Sequence, residues 1–413
     1  MKLPPDMFAQ MREAARNLMG KGPAATTTAI QQALGGLGAA QPAAPAAHEK
    51  TLHDTMHDIN PPPPTTKAKA APQPQAQSAA PQTAQEKVQD FIARLGMPGN
   101  LEQLSKLGQG FELPGMKAPG AATPAPPLPE GAQFISGSYQ NQAGTRAYKL
   151  YIPSSYHGQA MPLVVMLHGC TQNPDDFAAG TQMNALAEEK QCFVVYPAQA
   201  KSANQMQCWN WFNALDQQRG QGEPSIIAGI AQQIIEQYPV NQRQVYVAGL
   251  SAGGAMAVIA GTLYPELFAA VGVHSGLPFA AAQDLPSALA AMKSGAAAPA
   301  RKLPGGGVPI IVFHGDRDST VSPRNGDELM AQGLRNQAGG KQAAAAVDAG
   351  SVPNGHSYTR TTHSQADGTP LGEYWVIHGA GHAWSGGSDS GSYTDGKGPD
   401  ASREMMRFFK TVS

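Results

Sequence analysis

Residues 245–263 read VYVAGLSAGGAMAVIAGTL. Val245, Tyr246 and Val247 are β-branched or aromatic and favour a strand. The small residues 249–253 form a turn, and 255–263 has the composition of a buried helix. A strand that passes into a helix through so short a turn leaves no room for side chains beside it. Gly249 and Gly253, two positions either side of Ser251, meet that demand. The turn lifts the Ser251 hydroxyl above the sheet and sets it at a helix N-terminus, where the dipole favours developing negative charge. G-x-S-x-G in this strand-turn-helix setting marks Ser251 as the candidate nucleophile.

The same texture extends outward. Residues 134–139 and 145–152 read as the two strands of a β-hairpin around 140–144. Short apolar runs at 162–167, 192–196, 244–248, 269–273, 308–313 and 374–377 alternate with helical stretches. Near-continuous apolar runs suit parallel strands buried on both faces. Their alternation with helices predicts a doubly wound α/β sheet. With the turn at Ser251, the expected fold is the α/β-hydrolase fold, mostly parallel with flanking helices. Residues 280–306 and 334–356 read as Ala/Gly/Pro-rich insertions, either a cap over the site or plain surface loops.

A serine hydroxyl is a poor nucleophile without a base, and the base needs an orienting acid. In this fold the acid and then the histidine follow the serine in the chain. Asp316 and Asp318 both fall just past the 308–313 run, and the pattern leaves both open, with Asp318 having the longer reach. His378 lies in or next to the 374–377 strand and reads as structural. His382 follows in a Gly-rich loop and is the candidate base. The oxyanion of a tetrahedral intermediate needs two backbone donors. Ala252, after the nucleophile, supplies one candidate N–H. The loop after 162–167 supplies Cys170 as the other, with Gly169 permitting a tight backbone and His168 bracing the loop.

The 413 residues are 41% hydrophobic and only 14% charged, with formal net charge -1. No basic excess exists to neutralise phosphates, which excludes nucleic acid as a partner. No run approaches the ~20 apolar residues of a transmembrane segment. No apolar stretch follows Lys2, so a standard secretory leader is not expected. Residues 21–85 and 114–129 are rich in Ala, Pro, Thr, Gln or Gly and read as linkers. The chain thus divides into a low-complexity arm, 1–130, and a catalytic domain, 131–413. Within the arm, Met7, Phe8, Met11, Ala14, Ala15, Leu18 and Met19 form one helical stripe after Asp6. Val88, Phe91, Ile92 and Leu95 form another. Such helices pack on a protein surface or anchor to an apolar particle or membrane. His53 and His57 are four apart, but Asp54 stands where a zinc-binding helix carries Glu, so no metal is expected there. Three cysteines allow at most one disulfide with one left over.

Beyond these single positions, longer pieces match a known pattern. They are LHGCTQNPDDFAAGTQMNALAEEK (167–190), VVYPAQ (194–199), CWNWF (208–212), GLSAGGAM (249–256), HGDRDSTV (314–321), GAGHAWSGG (379–387) and GPDASREMMRFF (398–409). In this order they resemble the polyhydroxybutyrate depolymerase family of esterases, which is close to feruloyl and acetyl-xylan esterases. The resemblance spans nearly all of 131–413. It implies Asp318 as the acid, His382 as the base and Cys170 as the second oxyanion donor. It also implies a disulfide between Cys170 and Cys208, with Cys192 as the odd thiol; two free buried thiols are the alternative for a cytosolic chain. Trp209, Trp211, Phe212 and Trp384 become candidate walls for an apolar polyester or phenolic ester, or else core.

The implied activity is cofactor-free, metal-free ester hydrolysis of polyester or oligomeric 3-hydroxyacid esters. Feruloyl or acetyl esters on plant polysaccharide are the alternative substrates. Coating of a granule or membrane through the N-terminal arm is the alternative of another class. Location stays open between the extracellular space of the family and the cytoplasm suggested by the unseen leader. Residues 403–413 read as the end of the hydrolase itself, without an adsorbing module, so processive attack on crystalline polymer is not expected.

Overall fold

The computed structural model describes residues 128–296, 307–337 and 344–412. The stripes at 7–19 and 88–95, the His53/His57 pair, and residues 297–306 and 338–343 of the insertions lie outside the described residues.

The described chain runs β1 (Gln133–Asn141), β2 (Gly144–Ile152), β3 (Met161–Leu167), α1 (Pro174–Thr181), α2 (Met183–Lys190), β4 (Phe193–Pro197), a 3-10 turn (Leu215–Gln217) and α3 (Gly222–Gln237). It continues through β5 (Val240–Leu250), α4 (Ala252–Leu263), β6 (Ala270–His274), α5 (Leu285–Ser294), β7 (Ile310–Gly315) and α6 (Arg324–Gln337). The last elements are β8 (Ala344–Ser351), β9 (Ser357–Ser364), β10 (Pro370–Ile377), β11 (Trp384–Ser385), β12 (Thr394–Asp395) and α7 (Ala401–Thr411).

Ten strands form one sheet in the order β1-β2-β4-β3-β5-β6-β7-β10-β9-β8. The six from β4 to β10 pair in parallel, and the β1-β2 hairpin and the β9-β8 pair continue the sheet antiparallel at its two edges. This is the doubly wound α/β-hydrolase arrangement. Successive strand side chains point to opposite faces. Leu163, Val165 and Leu167 of β3 therefore join α3 and α4 in one core layer. Val164 and Met166 join α1, α2 and α7 in the other. α7 buries Met405, Phe408 and Phe409 on one stripe, and Phe409 stacks on Tyr246 of β5 at 4.6 Å.

One expectation needs correction. Within 334–356 the chain is no plain insertion: α6 runs to Gln337 and β8 is an edge strand paired with β9 over eight residues. Its AAAVDAGS sequence lies almost wholly exposed, so ladder hydrogen bonds hold it and no apolar alternation marks it. In the 280–306 region, α5 starts at a capping box in which Asp284 and Ser287 cap each other's backbone.

Candidate active site

Ser251 is the residue between β5 and α4, with φ 57° and ψ -120°. A non-glycine residue there stores about 1–3 kcal/mol of strain. Its N–H donates to the His274 carbonyl at 2.9 Å, and its own carbonyl accepts the Ala255 N–H at 2.9 Å. A Cβ on Gly249 would overlap Gly253 and the Leu167 carbonyl, and one on Gly253 would overlap the carbonyls of Leu167 and His168. The serine turn thus packs backbone-to-backbone against the end of β3, where the Cys170 loop begins.

β7 and β10 bring the next two groups to the same end of the sheet. Asp318 Oδ2 lies 2.7 Å from His382 Nδ1. Its Oδ1 accepts the N–H groups of Thr320 at 2.9 Å and Val321 at 2.8 Å. His314 Nε2 lies 2.8 Å from the Val321 carbonyl and 3.4 Å from Asp318 Oδ2. Both neighbours are acceptors, so Nε2 carries the proton. Burial opposes ionisation of Asp318, but hydrogen bonds from His314 and His382 outweigh it and hold the carboxyl well below the usual range. The acid side chain is fully buried and that of His382 is 7% exposed.

The rival residues form a pair of their own. His378 Nδ1 lies 3.0 Å from Asp316 Oδ2, with side chains 42% and 38% exposed. Asp316 Oδ1 accepts the Gly379 N–H at 2.7 Å, and His378 Nε2 meets Thr359 Oγ1 at 2.9 Å. This pair faces outward and ties the β10 end to β9.

His274, which lacks any motif in the sequence, joins the serine turn to the histidine loop. Its carbonyl takes the Ser251 N–H, and its Nε2 accepts the Ser385 N–H at 3.0 Å. The ring proton therefore sits on Nδ1, 3.2 Å from Ser275 Oγ. Burial, with His314 and His382 nearby, pushes its pKa down to about 3, so the ring stays neutral at physiological pH.

The loop after β3 is braced on all sides. His168 Nε2 accepts the Gln199 N–H at 3.1 Å, so its Nδ1–H donates to the Gly169 carbonyl at 2.8 Å. Burial pushes His168 down to about 4, which leaves it neutral. Cys170 and Cys208 are joined in a disulfide, and Cys192 is a buried free thiol. Among the described residues, the N–H groups of Cys170 and Ala252 have no protein acceptor. Two unpaired donors beside a strained serine form a ready site for an oxyanion.

The family model described as Esterase PHB depolymerase matches residues 146–354. The chain belongs to this family. Poly(3-hydroxyalkanoate) depolymerase C of Paucimonas lemoignei is 34% identical over 260 residues, 60% of each chain. Acetylxylan esterase A of Talaromyces purpureogenus is 33% identical over 35% of this chain and 37% of its own. Feruloyl esterase B of Neurospora crassa is 28% identical over 39% of this chain and 53% of its own. This chain thus matches no more than about 60% of the length of these relatives. Among solved structures, the acetyl xylan esterase from Aspergillus awamori aligns with TM-score 0.49 at 20% identity, over 68% of this chain and 99% of that one.

At this site, three of the four aromatic residues read as walls or core, Trp209, Trp211 and Trp384, are core. Trp209 is 0% and Trp384 1% exposed, so neither offers a face to a substrate. Trp209 Nε1 donates to the His168 carbonyl at 3.1 Å and braces the loop from behind. Trp384 Nε1 donates to Ser402 Oγ at 3.0 Å, with the ring against His274. Trp211 is also buried, edge-on to the partly buried Phe212. An indole N–H needs a partner when buried, and both Trp209 and Trp384 found theirs in backbone or serine oxygens inside.

The CWNWF segment is held by a buried charge that sequence reading missed. Glu223, at the start of α3, accepts from Arg146 at 3.1 Å and from Asn210 N and Nδ2 at 2.7 and 2.8 Å. Arg146 Nε also donates to Gln199 Oε1 at 2.8 Å. Burial and neighbouring Asp216 push the Glu223 carboxyl up, and these donors keep it bound. Arg146→Met leaves that buried carboxylate without its cation, held only by the Asn210 and Gln199 donors, with an expected loss of up to about 3–5 kcal/mol in urea unfolding near neutral pH. Because Glu223 is raised in the fold, it protonates and needs no cation as pH falls through that raised value towards the ordinary carboxylate value, so the deficit shrinks over this window. A deficit that does not change with pH would count against the pair.

Proposed function

We propose that this chain is a serine carboxylic ester hydrolase acting on poly- or oligo-3-hydroxybutyrate-type esters, with residues 131–413 as its catalytic domain. The observation that carries this reading is the buried His382–Asp318 pair on loops that His274 ties to the strained Ser251 turn. In the reaction, His382 Nε2 takes the Ser251 proton as Oγ attacks the ester carbonyl. The Cys170 and Ala252 N–H groups hold the oxyanion. Asp318 stabilises the imidazolium that forms. His382 then protonates the leaving alcohol, and a water activated by the same ring releases the acyl group.

The substrate assignment is supported by the depolymerase relative, whose match covers more of the chain than the acetylxylan or feruloyl esterase matches. The test compares a 3-hydroxybutyrate trimer with methyl ferulate and acetylated xylan under one set of conditions. Hydroxybutyrate release is expected to exceed the others by about tenfold or more in kcat/KM. Predominant ferulate or acetate release would move the enzyme to plant polysaccharide.

The Cys170–Cys208 disulfide favours an oxidising compartment, in keeping with an extracellular enzyme. Fractionation of the native host, with the protein followed by antibody, tests that placement.

A further inference from the structure

Gln172 closes the Cys170 loop, and it is 1% exposed. Its Oε1 accepts the Gly169 N–H at 2.9 Å. Its Nε2 donates to Asp176 Oδ2 at 2.9 Å and to Ser392 O and Oγ at 3.0 and 3.3 Å. Its backbone N–H, with His168 Nδ1–H, holds the Gly169 carbonyl, at 3.3 and 2.8 Å respectively. That carbonyl belongs to the same planar trans peptide as the Cys170 N–H, so fixing one aims the other in the opposite direction. Asp176 also accepts the Ser392 N–H at 2.9 Å and O–H at 2.6 Å. Ser392 stands two residues before β12, whose partner β11 begins two residues after His382.

We infer that Gln172 is a positioning residue. Its side chain anchors the Gly169 N–H, immediately before the Gly169–Cys170 peptide that its own backbone N–H grips, so that the Cys170 N–H faces the oxyanion, and through Asp176 and Ser392 it makes that loop one unit with the His382 loop. The inference rests on the proposed role of Cys170 as an oxyanion donor. The oxyanion exists only near the transition state, so losing the alignment lowers kcat more than it changes KM.

Three variants test this: Gln172→Met, which keeps bulk without hydrogen bonds, Gln172→Glu, and Gln172→Glu with Asp176→Asn. Rates on p-nitrophenyl butyrate are expressed per serine titrated by a fluorophosphonate. Affinity for a trifluoromethyl ketone, which forms a tetrahedral oxyanion, is measured alongside. Gln172→Met is expected to lower kcat about 10–100-fold, with KM within about threefold and the ketone weakened in parallel. Gln172→Glu sets two carboxylates face to face and falls further. Adding Asp176→Asn restores a donor–acceptor pair there and recovers about tenfold.

A merely structural role would lower the titrated fraction and leave per-site kcat and ketone affinity at wild-type values, which overturns the inference. Should Gln172→Met not fold, equal per-site kcat for Gln172→Glu with and without Asp176→Asn overturns it instead. Ser251→Ala separates the two levels. Activity retained in Ser251→Ala removes Ser251 as the nucleophile and with it the proposed serine mechanism, whereas an inactive Ser251→Ala beside wild-type Gln172 variants removes only the positioning role.

Discussion

Replacing Ser251 by Ala is expected to lower kcat/KM on p-nitrophenyl butyrate by about a thousandfold or more, because the proposed acyl bond forms on Ser251 Oγ. The fold should survive. The Ser251 side chain makes no cap hydrogen bond to α4, and Ala carries the same Cβ into the same φ of 57°. Unfolding free energy should therefore stay within about 0.5 kcal/mol of wild type. Ser251→Gly should be as inactive, yet more stable than Ser251→Ala by about 1 kcal/mol, since glycine adopts that φ without strain. Activity above about a thousandth of wild type in either variant would remove Ser251 from the nucleophile position.

Asp318→Asn is expected to cost about 10³–10⁴-fold in kcat while leaving Ser251 in place. The asparagine carbonyl would take over the Thr320 and Val321 N–H groups now held by Oδ1. Its amide would then face His382 Nδ1, where the acid now accepts at 2.7 Å. A donor at that point forces the ring proton onto Nε2, the nitrogen that must accept the serine proton. The variant also loses the negative charge that stabilises the imidazolium. Because the folded-state pKa of Asp318 is depressed, the native acid adds stability above its unfolded value near ~4, and this is lost as pH falls through the folded value. Asp318→Asn should flatten that part of the acid-unfolding curve. The matching Asp316→Asn variant, on the exposed pair, should stay within about threefold of wild-type kcat. If Asp316→Asn showed the larger loss, the two acids would have exchanged roles.

Much of the site is legible along the chain because its demands are local. The glycines around Ser251 answer contacts made within one strand-turn-helix unit and the strand end beneath it. The apolar runs mark the parallel strands because burial on both faces leaves no polar positions. The Cys170 loop, the acid loop and the histidine loop each follow such a run, so their order is visible as well. Where side chains do not pack, this legibility fails. β8 shows nothing to a reader of apolar pattern, since its stability comes from the ladder with β9.

What the sequence determined by itself was the chemistry on offer: a strained serine, acids and histidines at successive strand ends, and two backbone donors. These follow from turn sterics and residue periodicity, which act over a few positions. Tertiary structure decided which of those groups come together and how they are held. It turns Asp318 inward beneath His382 and Asp316 outward to His378, although the two acids are only two residues apart. It buries Trp209 and Trp384 as braces, where wall and core were both open. It recruits His274, 111 residues from Ser385, and Gln172, 220 residues from Ser392, into one scaffold. Burial and partner choice depend on what packs against a side chain, and in this fold those neighbours come from distant strands.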